Sequence, residues 1–349
     1  MTTPELLDAF AHQAKWCRKL NAGFTAVVVE TLAGELGGSG PLAQLLPDWP
    51  GDPDADAVPL RLCGALHALA LDPGSPLAAL YPPQATHLDR GEFIRKLNAA
   101  LASDRPFFER MLKQPPQTNE IGRSAVLLGG FAEIVKSTGL PLALLEVGAS
   151  AGLNLRWDRY RFELGSGSWG DPASPVLISA QWRGSTPTLP ATIEVVERAG
   201  SDEAPLDPRS ETDRRSLLAY CWPEQRERVE RLRAALELTS ADQLTVERAD
   251  AAAWLEARLV RPRAGAATVV YHSIVWGYLA KETQQAARAA IEQAGARASA
   301  DAPLAWLALE EAEGQQPALT LTQWPGGRPR RLATSHPHGA YADWSAGKS

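Results

Sequence analysis

One short segment constrains the fold of this 349-residue chain more than any other. Residues 142–147 read LALLEV, and all but one of them are apolar. An uninterrupted apolar run is typical of a strand that is covered on both faces of a parallel sheet. Residues 148–152 read GASAG, and a stretch compatible with a helix follows them. The sequence therefore predicts a buried strand, a tight glycine turn and a helix, which is the unit from which parallel sheets are built.

The chain changes character near residue 140. Before this point apolar residues recur at helical spacing, and no strand is predicted. After it, helical stretches alternate with short β-rich runs, which include 142–147, 193–197, 244–248, 268–271, 304–310 and 319–324. We therefore predict an all-helical N-terminal cap domain over residues 1–114 and an α/β domain over residues 115–349, with a Rossmann-like, doubly wound sheet.

Composition narrows the class of protein. The chain has 35 Lys and Arg against 41 Asp and Glu, a net charge of -6, so a broad nucleic-acid-binding face is not expected. Cys17, Cys63 and Cys221 are odd in number and form no CxxC motif, which argues against a disulfide framework or a zinc cluster. No apolar run is long enough to span a membrane, and no secretory leader is recognisable. We expect a cytoplasmic protein that binds neither nucleic acid nor membranes; its oligomeric state is left open.

The acidic residue before the glycine turn favours an adenosyl cofactor. Glu146, Gly148 and Gly152 resemble the first motif of class I S-adenosylmethionine-dependent methyltransferases, with Ser150 in place of the middle glycine often found there. Exposed N–H groups at the start of a helix favour a polar or anionic ligand, and the acid suits a ligand that carries an ammonium and a sulfonium. Asn154 completes the set of residues that we expect to shape the cofactor loop.

Two other interpretations of the turn remain open. Residues 148–152 match the G-x-S-x-G elbow of serine hydrolases, in which Ser150 is the nucleophile and His336 or His338 completes a triad. The helical character of the preceding residues and the absence of a His-Gly-Gly segment count against this interpretation. The turn can also be a strand–helix connection that needs glycine and binds no ligand.

Polar residues follow the later strands, at the edge where a doubly wound sheet binds its ligand. The methyltransferase resemblance implies that an acid after the second strand holds the ribose hydroxyls, and Asp202 takes this place. It also implies that an aspartate followed by a small residue holds the adenine amino group, and Asp250 and Ala251 match this pair. His272, with Tyr271, is the predicted acceptor of the substrate's proton.

Substrate contacts are predicted at two further places. Gln117, Asn119 and Glu120 offer donors and acceptors in a row and form a lid or wall over the cofactor, and Trp276 lines an apolar substrate pocket. The segment that holds the first three residues can equally be a capped helix start, with Thr118 or Asn119 as the cap. The tryptophan can be a core or interface residue.

Some candidates also have purely structural interpretations. Asp250 suits the N-cap of a helix that begins at Ala251. His272 lies beside an apolar strand and can be a hydrogen-bonded core histidine. His336 and His338 flank a proline; no third ligand accompanies them, so we predict no metal site and favour a role in loop packing.

The chain resembles, nearly end to end, a bacterial family of unknown function whose core is predicted to be methyltransferase-like. The resemblance rests on residues 116–120 (PQTNE), 145–155 (LEVGASAGLNL), 169–172 (WGDP), 271–276 (YHSIVW) and 336–339 (HPHG). It implies a fold and no established reaction.

Together these features predict methyl transfer from S-adenosylmethionine to a small-molecule substrate. Most of the rate enhancement would come from alignment of the nucleophile behind the methyl group. Closure of the helical domain would exclude water from the site. The alternatives are a serine hydrolase that uses Ser150 and a non-catalytic protein that binds a cofactor or a partner.

Overall fold

The computed structural model describes residues 3–46, 49–311 and 315–345, which form two compact units. The first unit comprises the residues up to Thr118 together with Glu211–Glu230. The second comprises Asn119–Ser210 together with the residues from Arg231 onward. The segment Glu211–Glu230 thus joins the mainly N-terminal unit, although it lies within the region for which an α/β domain is predicted.

Helices dominate the first unit, and strands appear only in the second. The helices are α1 (Pro4–Lys19), α2 (Gly23–Leu36), α3 (Pro41–Leu45), α4 (Val58–Ala70), α5 (Arg90–Ser103), α6 (Arg105–Lys113), α7 (Ser124–Thr138), α8 (Glu211–Ala219), α9 (Arg226–Ser240), α10 (Ala251–Arg258) and α11 (Lys281–Gly295). The strands are β1 (Leu142–Val147), β2 (Arg161–Glu163), β3 (Ser168–Trp169), β4 (Leu177–Ser179), β5 (Gln181–Gly184), β6 (Val195–Asp202), β7 (Glu247–Arg248), β8 (Ala267–Ser273), β9 (Leu304–Glu310), β10 (Ala318–Trp324), β11 (Arg328–Ser335) and β12 (Tyr341–Trp344).

The described residues of the first unit contain helices and no strand. Its helices share a large apolar core, in which Phe10, Phe93 and Phe108 are fully enclosed. Helices α5 and α6 begin after Asp89 and Asp104, whose carboxylates accept backbone N–H groups of the first turn. An aspartate at this position satisfies a donor that the helix itself leaves unpaired, which explains where these helices start.

The second unit contains a nine-stranded sheet in the order β5-β12-β11-β10-β9-β8-β1-β6-β7. Strands β7, β6, β1, β8 and β9 are parallel, whereas β9, β10, β11 and β12 pair antiparallel. The chain leaves β1 for β6 and β7 on one side and then returns to β8 and β9 on the other. The strand order therefore reverses between β1 and β8, where open parallel sheets bind ligands at the carboxyl ends of their strands.

Helices cover both faces of the sheet at β1, as the apolar run predicts. On one face, Leu145 and Val147 share a buried cluster with Ile291 of α11. On the other face, Phe131 of α7 packs edge-on against Tyr271 of β8, with ring centroids 5.2 Å apart. The structure thus confirms a mixed α/β fold with a large central sheet, and β1 is buried at every position.

Three elements differ from the sequence prediction. The charged amphipathic pattern of residues 210–236 predicts one long helix, whereas the structure has two, α8 and α9. The helices are separate because Pro223 lies between them and has no N–H group to continue a helix. Residues 154–159, expected to be helical, form a 3₁₀ segment. The last two predicted strands, 304–310 and 319–324, are followed by β11 and β12, and the four strands form an antiparallel part of the sheet.

None of the helices in the described ranges combines the length and the apolar character that crossing a membrane requires.

Candidate functional site

The turn after β1 uses backbone conformations that favour glycine. Gly148 and Gly152 have φ angles of +69° and +70°, and Ser150 between them has a φ of +52°. A residue with a side chain seldom adopts this left-handed conformation. Neighbouring contacts hold Ser150 in place: its N–H donates to Oδ2 of Asp202 at 2.9 Å, and its carbonyl accepts the N–H of Leu206 at 3.3 Å.

The structure brings the predicted ribose-binding acid to the turn. Strand β6 extends to Asp202, five residues beyond the predicted strand end at 197, so the carboxylate lies at the carboxyl edge beside β1. Its second oxygen accepts the N–H of Ala204 at 2.9 Å. In this structure Asp202 therefore binds backbone N–H groups and fixes the shape of the turn.

Two buried hydroxyls beside the turn, those of Ser150 and Ser201, have no hydrogen-bond partner among the described residues. These residues are 3% and 1% exposed. An unsatisfied buried polar group costs roughly 1–3 kcal/mol, so these two hydroxyls are free to bond to a group placed beside them. Because the Ser150 hydroxyl contacts neither an imidazole nor a carboxylate here, the triad expected of a serine hydrolase is not formed.

Glu146 and Tyr271 form a buried pair behind the turn. The Tyr271 hydroxyl donates to Oε2 of Glu146 at 3.1 Å and lies 3.2 Å from the carbonyl oxygen of Asn154. Burial raises the pKa of Glu146 well above its usual value, although the hydrogen bond from Tyr271 acts in the opposite direction. Burial also raises the pKa of Tyr271. The pair therefore links β1 to β8 from inside the sheet.

Three predicted polar residues meet on the other side of the turn. Oδ1 of Asn119 accepts the N–H of Leu153 at 2.9 Å. The Asn154 side chain accepts the Ser124 hydroxyl at 2.7 Å and donates to the Glu120 carbonyl at 3.4 Å. These bonds hold the segment after Gly152 against the start of α7.

The acidic side chain of Glu120 caps a short 3₁₀ turn, residues 121–123. Its Oε1 accepts the N–H of Gly122 at 2.9 Å and lies 3.4 Å from a guanidinium nitrogen of Arg231. A capped helix start is therefore present, but its cap is Glu120, where the sequence predicts Thr118 or Asn119. Gln117, the remaining member of the predicted lid, lies in the first unit, so its role as a substrate contact stays a prediction.

Asp250 is the N-cap of α10, which begins at Ala251. Its Oδ1 accepts the N–H of Ala253 at 3.0 Å, and its Oδ2 accepts the Thr283 hydroxyl at 3.2 Å. The structural interpretation of Asp250 is thus present in the fold, and its adenine contact stays a prediction.

His272 is buried, with both ring nitrogens in hydrogen bonds. Nδ1 lies 2.6 Å from Oε1 of Glu310, and Nε2 lies 2.9 Å from the indole nitrogen of Trp306. An indole N–H can only donate, so Nε2 accepts and the ring proton belongs on Nδ1. The ring also stacks on Trp276, with centroids 4.7 Å apart. His272 therefore has no free nitrogen for a substrate proton in this arrangement.

The loop after β8 closes over the turn after β1. Oε1 and Oε2 of Glu310 accept the backbone N–H groups of Val275 and Trp276, each at 3.2 Å. Ile274 has a φ of +51°, which is strained for a β-branched residue. A Cβ added to Gly148 would collide with Cγ2 of Val275, so this valine occupies the space above the glycine.

Arg156 stabilises the end of the turn at Gly152. Its side chain is completely buried, donates to the Gly152 carbonyl at 2.7 Å and forms a paired contact with the carboxylate of Asp242. Burial alone would raise the pKa of Asp242, but the hydrogen bond and charge of Arg156 hold it below its usual value.

His336 and His338 pack against each other, with ring centroids 5.3 Å apart, and the His338 N–H donates to Nδ1 of His336 at 3.1 Å. This geometry agrees with the loop-packing role. Within the described part of the chain, no three His, Cys, Asp or Glu side chains come together as metal ligands would.

Sequence reasoning missed Glu310 and Trp306, which bind both nitrogens of His272. The sequence did contain a signal for Glu310, because this residue ends the apolar run 304–310. Asp202 and His272 likewise lie near the ends of their own parallel strands. Polar residues at the ends of all parallel strands, including the last, are therefore candidates for the same edge.

Comparison with known proteins identifies the chain's relatives at the level of a family. No curated protein and no solved structure gives a match. A family model described as "Uncharacterized protein conserved in bacteria (DUF2332)" matches residues 7–344, which include every strand of the sheet. The resemblance found in the sequence is thereby confirmed as to the family, and the chain belongs to this bacterial family, DUF2332.

Proposed function

We propose that this chain binds S-adenosylmethionine at the turn after β1 and transfers its methyl group to a small-molecule acceptor. The strand order carries the proposal: β7, β6, β1, β8 and β9 are parallel, and the order reverses between β1 and β8. This order supports the proposal of a Rossmann-like, doubly wound sheet, a fold in which the glycine turn of the first strand lies at the ligand site.

The residues at the turn fit an adenosyl group in their chemistry. Ser150 and Ser201 have buried hydroxyls that lack a partner in the described structure, and Asp202 lies beside them with a carboxylate that accepts N–H groups. Such groups suit ribose hydroxyls. Val275 covers Gly148, so the proposal requires the loop after β8 to withdraw when the cofactor binds.

The cofactor would supply a methyl group on a sulfonium, which is a good leaving group. The contribution of the chain would be to orient the reactants and to exclude water from the edge of the sheet. His272 would accept the acceptor's proton only after its Nε2 is released by the Trp306 indole. Until then, His272 positions the loop through Glu310.

Calorimetric titration with S-adenosylmethionine and S-adenosylhomocysteine tests the proposal. We expect both compounds to bind the purified protein and to raise its thermal midpoint, because a ligand of the native state stabilises it. Gly148→Ala should abolish binding, since its Cβ would occupy the space above the turn that Val275 must leave for the cofactor, at a φ of +69° that alanine seldom adopts. Val275→Ala should bind more tightly than the natural protein, because the space above Gly148 is then open.

Gly139→Ala is the matched control. Gly139 also has a left-handed φ, +68°, but a Cβ there would contact nothing within 4 Å. This variant should lose stability and keep its affinity. If neither adenosyl compound binds the natural protein or Val275→Ala, the proposal is wrong.

A further inference from the structure

A cavity of about 250 Å³ lies on the face of the sheet beside α11. We name it the aromatic cleft; its walls include His272, Trp276, Arg288, Trp306, Thr320 and Thr322. Its floor follows from the register of three strands. His272 lies beside Ala308 of β9, which in turn lies beside Thr320 of β10. Small side chains at the last two positions leave space where bulkier residues would fill the core.

Flat rings form one side of the aromatic cleft. The rings of Trp276 and Trp306 have centroids 5.4 Å apart at an angle of 48°. The orientation of Trp306 is fixed by its N–H bond to His272, whose ring in turn stacks on Trp276. Trp276 itself is half-buried, so part of its ring remains accessible. Held aromatic faces of this kind bind planar groups by stacking.

Two charged side chains line the aromatic cleft, the carboxylate of Glu310 and the guanidinium of Arg288. Both oxygens of Glu310 already accept N–H groups, from the His272 ring and from two backbone amides. His272 is neutral in this geometry, because Nε2 accepts a hydrogen bond. The guanidinium of Arg288 lies over the Trp306 ring, 4.9 Å from its centroid, and forms no salt bridge within the described residues. A cation without an acidic partner therefore borders the flat rings.

We infer that the aromatic cleft binds a small planar molecule that carries one carboxylate. Its ring would stack on Trp276, and its carboxylate would pair with Arg288, whose guanidinium can form two parallel hydrogen bonds to such a group. Thr320 and Thr322 add hydroxyls for polar atoms of the ligand. This inference does not depend on the adenosyl proposal and is tested without an adenosyl compound.

Calorimetric titration with four probes separates planarity from charge. 2-Naphthoate is planar and anionic, 2-naphthamide is planar and neutral, cyclohexanecarboxylate is anionic but not planar, and phenyltrimethylammonium is planar and cationic. We expect 2-naphthoate to bind at least about tenfold more tightly than the other three, since a charge-assisted hydrogen bond is worth more than 1.4 kcal/mol.

Two variants assign the binding to the aromatic cleft. Arg288→Gln should weaken 2-naphthoate about tenfold and leave 2-naphthamide unchanged, because only the anion loses its partner. Lys281→Gln removes the same charge from the exposed start of α11, outside the cleft, and should change neither affinity. The side chain of Arg288 is exposed, so we expect its variant to fold normally.

Three results would overturn the inference. The first is equal or absent binding of 2-naphthoate and 2-naphthamide. The second is a preference for phenyltrimethylammonium, which would assign the cleft to cations. The third is unchanged 2-naphthoate affinity in Arg288→Gln, which would place the binding elsewhere.

Discussion

Glu146 is a carboxyl group whose ionisation the fold opposes. Its pKa is raised chiefly by burial and further by the charge of Asp202, while Tyr271 and Arg156 act against the rise. In the folded state the group therefore keeps its proton at pH values where the unfolded chain has released it. Its contribution to stability is fully present below the usual value of 4.5 and is lost as the pH rises through the folded pKa.

Glu146→Gln tests this linkage. Glutamine still accepts the Tyr271 hydroxyl but does not ionise, so the free energy of unfolding should fall less as the pH rises above 4.5. The difference between variant and natural protein should grow by up to about 1.4 kcal/mol per pH unit, because one proton is involved. Urea unfolding at a series of pH values measures it. Glu163→Gln, on the exposed side of β2, is the control, and parallel pH curves for all three proteins would contradict the prediction.

Cys17 gives a second prediction for a single side chain. Burial raises the pKa of its thiol to about 11, so at pH 8 the thiolate that reacts with electrophiles is scarce. Iodoacetamide at pH 8 should label Cys17 much more slowly in the folded protein than in 6 M guanidinium chloride, a standard denaturing condition. Mass spectrometry of the labelled peptides gives both rates. Equal rates in the two conditions would disprove it.

The loop after β8 owes its position to one carboxylate from another strand. Glu310 satisfies two consecutive backbone N–H groups and the His272 ring, and the strained Ile274 lies between these contacts. Strain of this kind persists only where surrounding contacts hold it, and it is concentrated at functional sites.

Glu310→Gln should loosen this loop. An amide has one acceptor oxygen where the carboxylate has two, so at least one N–H donor loses its partner at a cost of about 1–3 kcal/mol. Hydrogen exchange of the Val275 and Trp276 amides should accelerate, while exchange in β1 changes little. Glu292→Gln, on the exposed side of α11, should leave these amides protected. Unaltered exchange in Glu310→Gln would show that other contacts hold the loop.

The elements near the site were predictable to different degrees. Strand β1 and its turn could be predicted from the sequence. Burial on both faces of the sheet requires a run of apolar residues, and a left-handed backbone favours glycine. The end of β6 could not be predicted, since Gly200 is a poor strand former and this end is paired by strands from elsewhere in the sequence, β1 on one side and β7 on the other. The contacts of His272 with Glu310 and Trp306 depend on strand register, which a single sequence does not reveal.

Segments far apart in sequence complete the first unit. Helix α2 has no side-chain cap of its own, because Ala22 precedes it. Glu224 supplies the cap from 199 residues away: its carboxylate accepts the N–H of Thr25 at 2.8 Å and the Thr25 hydroxyl at 2.9 Å. The ring of Tyr220 likewise lies where a Cβ on Gly64 of α4 would be.

Glu224→Ala should therefore destabilise the first unit. It leaves a buried N–H and hydroxyl of Thr25 without an acceptor, and we expect a loss of about 1–3 kcal/mol in the free energy of unfolding. Glu227→Ala, three residues on and exposed, should cost less than about 0.5 kcal/mol. Chemical denaturation of both variants gives the comparison, and equal losses would contradict this assignment.

The sequence predicts only part of how the chain divides into its two units. Helical and β-rich halves were predictable, because hydrophobic period separates them. The return of Glu211–Glu230 to the mainly N-terminal unit was not, since its amphipathic pattern specifies a buried face and not the partner that buries it.

Glu310 also joins two places that are proposed here to bind different ligands. Through His272 and Trp306 it borders the aromatic cleft, and through Val275 it holds the cover over Gly148. A ligand in the aromatic cleft that shifts His272 would therefore change the affinity of the turn after β1 for its own ligand. By thermodynamic linkage, the ligand at the turn must then change the affinity of the cleft for its ligand by the same factor.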